Sequence, residues 1–210
     1  AEVRRLERRE DIIGKLAHQF HFDKRIRMEE AEARHKFLEG TGSMILDRAH
    51  KIVYACISPR TDMEMLDEFC KTMGYEKVAF TAVDGDGKEI YHTNVMMALG
   101  ETFVVICLET IKNEAERELL LEKFNQTNKA VVEISLKQML SFAGNMLQVR
   151  NKSGEPILVM SQQAFESLDK DQVRKLNQHT NLLYSPIDTI EKYGGGSARC
   201  MMAEVFAPGE

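Results

Sequence analysis

Three side chains of complementary chemistry stand at matching places in this chain: Glu39, His92 and Cys200. Cys200 follows the run Gly194-Gly195-Gly196-Ser197-Ala198-Arg199 and precedes Met201-Met202. Glycines let backbone come close to a ligand, and a neighbouring cation favours the thiolate, the nucleophilic form of a cysteine. A thiolate can attack an electrophilic carbon. A histidine can protonate a leaving nitrogen and then activate water, and a carboxylate can orient substrate or share a proton. Taken singly, each residue has an ordinary explanation: a buried hydrophobe for the cysteine, a satisfied histidine before a strand, a turn glutamate. Their shared position is what sets them apart.

That position belongs to a repeat. Four segments align: Leu38 to Leu46, Tyr91 to Met97, Phe142 to Leu147, and the glycine run. Ser43, Asn94, Asn145 and Gly196 mark the register, each 51 residues after the last. A constant period of this size signals repeated supersecondary units. Each unit reads as a small or polar entry, an apolar strand, a turn, a second strand, a helix and a third strand. The second strands are Ile52 to Cys56, Phe103 to Cys107 and Ile157 to Met160. The helices cover Leu66, Phe69, Cys70 and Met73 in the first unit, with Asp62 near the start, then Glu114 to Phe124 and Gln162 to Leu176. The third strands are Val78 to Phe80, Ala130 to Val132 and Leu182 to Tyr184. Such units cannot bury their apolar faces alone and close on one another.

The reading at the two ends is less regular. Ile12, Ile13 and Leu16 predict a helix and Phe22 to Met28 a short strand, with no hairpin before them; a further strand is expected at Cys200. The first residue is Ala1. The expectation is therefore one α/β catalytic domain over residues 1–210, part of a larger ring from which one or two front units are missing.

Composition narrows the function. A chain of 210 residues can bury a substantial core. A net charge of −5 and a pI near 5.8 argue against a general nucleic-acid binder. No apolar run is long enough for a membrane span, so neither nucleic acid nor membrane is expected as partner. Cys56, Cys70 and Cys107 sit in apolar patterns without metal-ligand spacing and read as reduced core cysteines of a cytoplasmic protein. Asp84-Gly85-Asp86-Gly87 is half a calcium loop without the later ligands and reads as a tight turn. Asn125-Gln126-Thr127 and Asn151-Lys152-Ser153 are chance matches to glycosylation acceptors. The charged stretch from Arg4 to Asp11 reads as a solvated face, and His18, His21, His35, His50 and His179 as surface residues.

Together, Phe37 to Met44, Tyr91 to Met97, Phe142 to Leu147 and Gly194 to Cys200 resemble the guanidino-group-modifying, or pentein, superfamily. This superfamily contains arginine deiminases, dimethylargininases, amidinotransferases and peptidylarginine deiminases; the bacterial citrulline-utilisation hydrolase branch is the most similar. The resemblance implies a five-fold pseudosymmetric α/β propeller of ββαβ repeats. It implies Cys200 as nucleophile, His92 as general acid/base and Glu39 as acidic partner, with no metal or organic cofactor. Asn94, Asn145, Gly195, Gly196 and Arg199 become substrate-binding candidates. The partner implied is a small guanidino or ureido compound; a homodimer is left open. Arginine deiminases carry a carboxylate where this chain has Asn94, which tilts the expectation from a cationic guanidinium towards a neutral, citrulline-like ureido group. Hydrolysis, transfer of the amidino group to an amine, and a non-catalytic ligand-binding ring all fit the residues.

Overall fold

The computed structural model describes residues 1–20, 22 and 24–206; His21 lies outside the described residues. A helix α1 (Glu10–Phe20) comes first, with Ile13, Leu16 and Phe20 half-buried and no residue fully buried. Three ββαβ units follow, each building a three-stranded sheet of its own. The first runs from a single helical turn α2 (Gly40–Ser43) into β1 (Met44–Asp47), β2 (Ile52–Cys56), α3 (Met63–Met73) and β3 (Glu76–Phe80). The second repeats this with α4 (Thr93–Met96), β4 (Met97–Leu99), β5 (Phe103–Ile106), α5 (Glu114–Gln126) and β6 (Ala130–Glu133). The third has α6 (Leu136–Leu140), β7 (Leu147–Arg150), β8 (Pro156–Ser161), two helices α7 (Gln162–Ser167) and α8 (Lys170–Asn177), and β9 (Asn181–Ser185). A last helix α9 (Asp188–Gly194) leads to a 3-10 turn at Ala198–Met201.

Within each unit the first two strands form an antiparallel hairpin, and the helical crossover returns the third parallel to the second. Local chemistry sets the corners. The Asp62 side chain caps α3 by accepting from the Met65 N–H, and Gly74 ends that helix in the left-handed region at φ +69°. Asn113, Ser161 and Asp169 cap α5, α7 and α8 in the same way. Strands β1, β4 and β7 pack side by side, while α5 bridges β3 and β6, and α8 bridges β6 and β9. Each later crossover helix thus covers its own sheet and the edge of the preceding unit. The inner strands are almost wholly buried: β2 and β5 have no exposed residue.

One polar link crosses the units inside this core. Lys129 Nζ lies 3.0 Å from Asp47 Oδ2, both side chains only 2 % exposed, and it also donates to the Glu101 carbonyl at 2.7 Å. Burial opposes the charge on Asp47, but the bonds from Lys129 and His50 hold its carboxyl below the usual range.

Four expectations need correction. The helix expected over Gln162 to Leu176 is two, because the Asp169 side chain turns from the chain to cap α8 with Gln172 in a capping box. No strand forms among the described residues of 22–28; Arg25 and Arg27 are exposed there and pair with Glu10 and Glu29. Cys200 sits in the 3-10 turn closed by its own N–H on the Ser197 carbonyl, not in a strand. His179 is half-buried against Phe103, with Thr102 Oγ1 2.8 Å from its Nδ1. The Asp84 segment is the tight turn expected, with Asp84 Oδ1 accepting from the Asp86 and Lys88 N–H groups and Gly87 at φ +78°.

Candidate functional site

The register positions meet where the units meet. Thr93 Oγ1, opening α4, donates to the Ser43 carbonyl at 2.5 Å and accepts from the Cys56 N–H at 2.8 Å. One unit later, Asn145 Nδ2 donates to the Asn94 carbonyl at 3.0 Å, across 51 residues of chain. The Arg199 N–H reaches the Asn145 carbonyl at 3.5 Å. Each entry turn is therefore tied to the one before it. The contact leaves no room for side chains: a Cβ at Gly144 would lie 2.4 Å from the Val95 carbonyl oxygen.

Glu39 and His92 come together across the first two units, His92 Nε2 standing 2.6 Å from Glu39 Oε2. The carboxylate is held from several sides. The Glu39 N–H donates to Ser43 Oγ at 3.0 Å, that hydroxyl donates to the Arg60 carbonyl at 2.9 Å, and Arg60 Nη1 is 3.6 Å from Glu39 Oε2. Burial raises the energy of the Glu39 anion, and the hydrogen bond from His92 opposes that cost. Burial dominates at His92 and lowers it below the ordinary histidine value, against the opposing pull of Glu39. The pair is then a carboxylate and a neutral imidazole. An ionised Glu39 can only accept, so Nε2 carries the proton and Nδ1 is left as the ring's acceptor. Gly42 makes room for this ring: a Cβ there would be 2.9 Å from Nδ1 and Cε1.

Cys200 is the exposed cysteine of the four; Cys56, Cys70 and Cys107 are buried. Burial pushes the Cys56 thiol up to about 12 and that of Cys107 to about 11, so neither is a nucleophile near neutral pH. Around Cys200 Sγ stand Asn145 Nδ2 at 3.3 Å and Asn94 Nδ2 at 3.8 Å. The Asn94 carbonyl can only accept, which fixes the Asn145 amide with its nitrogen towards both that oxygen and the sulfur. Gly196 lies against the thiol, where a Cβ would meet Cys200 Sγ at 3.1 Å. Behind it, Ser197 Oγ donates to buried Glu191 at 2.6 Å and anchors the loop to α9.

Glu39, His92, Asn94, Arg199 and Cys200 all line one cavity of about 700 Å³. Gly195 is not in its wall; at φ +69° it is the left-handed cap of α9. Gly196 and Asn145 act on the cavity from behind Cys200. Arg199 is 8 % exposed, and burial lowers its guanidinium from the usual range against the field of Glu204. Sequence reasoning missed Arg60, which also stacks over Tyr91 at 5.1 Å, and the inter-unit hydroxyl of Thr93. Neither carries a local signal, although Gly42 was visible in Gly40-Thr41-Gly42. Among the described residues no group of three or more His, Cys, Asp or Glu could hold a metal ion, and no helix is long and apolar enough to cross a membrane.

Solved structures share this fold. The N-terminal domain of ArgZ, an arginine dihydrolase of the ornithine–ammonia cycle in Cyanobacteria, was solved bound to product. It superposes with a TM-score of 0.64 at 17 % identity, over 81 % of this chain and 57 % of that one. Unliganded AgrE gives 0.63 at 19 % identity, over 81 % and 23 %. SxtG, an amidinotransferase of the saxitoxin pathway in Microseira wollei, gives 0.55 at 10 % identity, over 80 % and 45 %. The chain thus spans little more than half of the ArgZ domain, as three successive blades of the pentein fold. No curated protein matches the sequence. The profile of the family described as N,N dimethylarginine dimethylhydrolase, eukaryotic, matches residues 1–207. The chain belongs to this dimethylarginine dimethylhydrolase family, within the guanidino-group-modifying superfamily.

Proposed function

We propose that the protein hydrolyses a C–N bond of a guanidino, amidino or ureido compound through an S-linked intermediate on Cys200. The observation that carries this reading is the 2.6 Å contact of His92 with Glu39 in the same cavity as the exposed Cys200. Neutral His92 takes the Cys200 thiol proton at Nδ1 as sulfur attacks the central carbon of the substrate. The imidazolium, stabilised by Glu39, returns that proton to the departing nitrogen as the C–N bond breaks. A water then adds to the same carbon with His92 again as base, the C–S bond breaks, and the thiolate is regenerated. An amine in place of the water would make the reaction an amidino transfer.

Glu7, Glu29, Glu32 and Glu39 line the cavity, but the first three are paired with Arg4, Arg27 and the Arg5 and Arg8 guanidinium groups, and at Asn94, next to the sulfur, the wall offers an amide. A guanidinium in a desolvated site wants charge-assisted, paired acceptors, whereas a ureido group needs only ordinary hydrogen bonds. This supports a citrulline-like substrate over arginine. The family match brings methylated arginines into the same comparison. The test is to incubate the protein with arginine, dimethylarginine and citrulline, with and without an added amine, and to follow amine or ammonia release. Cys200→Ser should abolish turnover with the fold unchanged by circular dichroism. Near-wild-type turnover in that variant would remove the reading.

A further inference from the structure

A second cavity, of about 680 Å³, shares Arg199, Thr41 and Met44 with the first but contains none of Glu39, His92 and Cys200. Its walls come mainly from the first strand of each unit, β1, β4 and β7, and the segment around Phe206. The charges in these walls are mostly spoken for. Asp47 is paired with Lys129 and His50, and Glu101 with Arg150 at 2.6 Å. Arg199, Arg48 and Glu204 remain.

Two polar atoms of this wall are buried with no partner, Arg199 Nε and Gln148 Nε2, and both are donors. The Gln148 amide is not free to turn over, because its Oε1 accepts the Glu101 N–H at 2.8 Å. Arg199 is more than nine-tenths buried and cannot shed its proton. A buried donor without an acceptor costs what a lost hydrogen bond costs, and a buried cation without a counter-charge costs more. Arg48 stands at the same cavity with its guanidinium held 3.8 Å over the Phe206 ring. Glu204 acts on Arg199 through its field without pairing to it, so orphaned donors and two guanidinium groups against one carboxylate call for a ligand that supplies acceptors and negative charge.

We infer that this second cavity binds a small oxyanion, a carboxylate or a phosphate, held by Arg199 and Arg48 with Gln148 as a further donor. The guanidinium fork matches either group in geometry. The site stands apart from the proposed chemistry: it uses no substrate and is read without turnover. Because Arg199 lines both cavities and adjoins Cys200, an anion here neutralises the cation at the back of the Cys200 cavity.

The experiment titrates the protein with inorganic phosphate and separately with citrate, at ionic strength held constant with sodium chloride. Heat of binding and thermal midpoint are both recorded. Saturable binding and a rise in midpoint are expected from at least one probe, and the tighter one tells phosphate from carboxylate. Arg48→Gln should weaken binding at least tenfold. Gln148→Glu keeps the acceptor for the Glu101 N–H but puts a carboxylate into the cavity wall that also holds Arg199; it should abolish binding while raising the midpoint of the free protein. Binding should survive alkylation of Cys200 by iodoacetamide. Absence of saturable binding at tens of millimolar, or binding unchanged in both variants, would overturn the inference. Loss of binding on alkylation would do so too, by placing the anion in the Cys200 cavity.

Discussion

The two cavities that share Arg199 differ in how their polar groups are satisfied. In the Cys200 cavity the groups serve one another across the units: His92 with Glu39, Glu39 with Ser43 and Arg60, Asn145 with Asn94 and the sulfur. In the other, paired charges line the wall and two donors are left over. In the first network Asn145 Oδ1 is the one of these groups buried without a partner; a network so nearly closed is pre-organised and costs little rearrangement when charge develops during a reaction. A wall with spare donors is arranged for something that arrives from outside. The difference teaches that one register repeated through the chain yields two kinds of site, set by which residues each unit places at its entry turn and which at the far end of its first strand.

The strongest way to break this contrast is at Lys129. It belongs to the second cavity, yet its buried pair with Asp47 is a structural link between units. Lys129→Met leaves the buried Asp47 carboxylate with His50 alone and should cost about 3 kcal/mol of stability, read from denaturant unfolding, while kcat of the folded protein stays near wild type. A large loss of turnover in the folded variant would join the two cavities functionally.

Next is Glu39→Gln, which keeps the shape of the closed network and removes its charge. A drop in kcat of about a hundredfold, roughly 2.7 kcal/mol of activation free energy, is expected. The pH profile adds a sign. His92 lies below its ordinary value of 6.5, so the acid limb of kcat/KM should fall below that pH. Glu39 opposes this lowering, so Glu39→Gln should move the limb to still lower pH. The folded-state value of His92 is depressed, so its contribution to stability is present above the unfolded value and lost as pH falls through the folded one. A limb that moves upward in the variant would contradict the assignment.

The smallest effect expected is on specificity. Asn94→Asp puts a carboxylate next to the Cys200 sulfur and should shift the kcat/KM ratio severalfold from citrulline towards arginine. A wild type that prefers arginine, with no change on substitution, would remove the role given to Asn94.

Much of this was legible in the sequence. Hairpins and crossover helices declare themselves through local periodicity, and the 51-residue spacing aligned Ser43, Asn94 and Asn145 where the units touch. Two elements were misread for local reasons. Leu168 keeps the helical spacing and hides the break made by the Asp169 cap. Met201 and Met202 are as apolar as a strand, but the backbone before them closes a 3-10 turn. The remainder depends on three-dimensional proximity. Nothing near Arg60 announces that it will reach Glu39, and nothing near Gln148 announces a donor without an acceptor.

The central claim is that Cys200 forms a bond to the substrate's carbon within the cavity shared with His92 and Glu39. Mass spectrometry of the intact protein and of its peptides, after rapid acid quench during turnover, tests this most directly. The account predicts a mass increase equal to the substrate less its departing amine, located on the Cys200 peptide and absent from Cys200→Ser. Turnover with no adduct on Cys200 at any quench time, together with activity in Cys200→Ser, would contradict it.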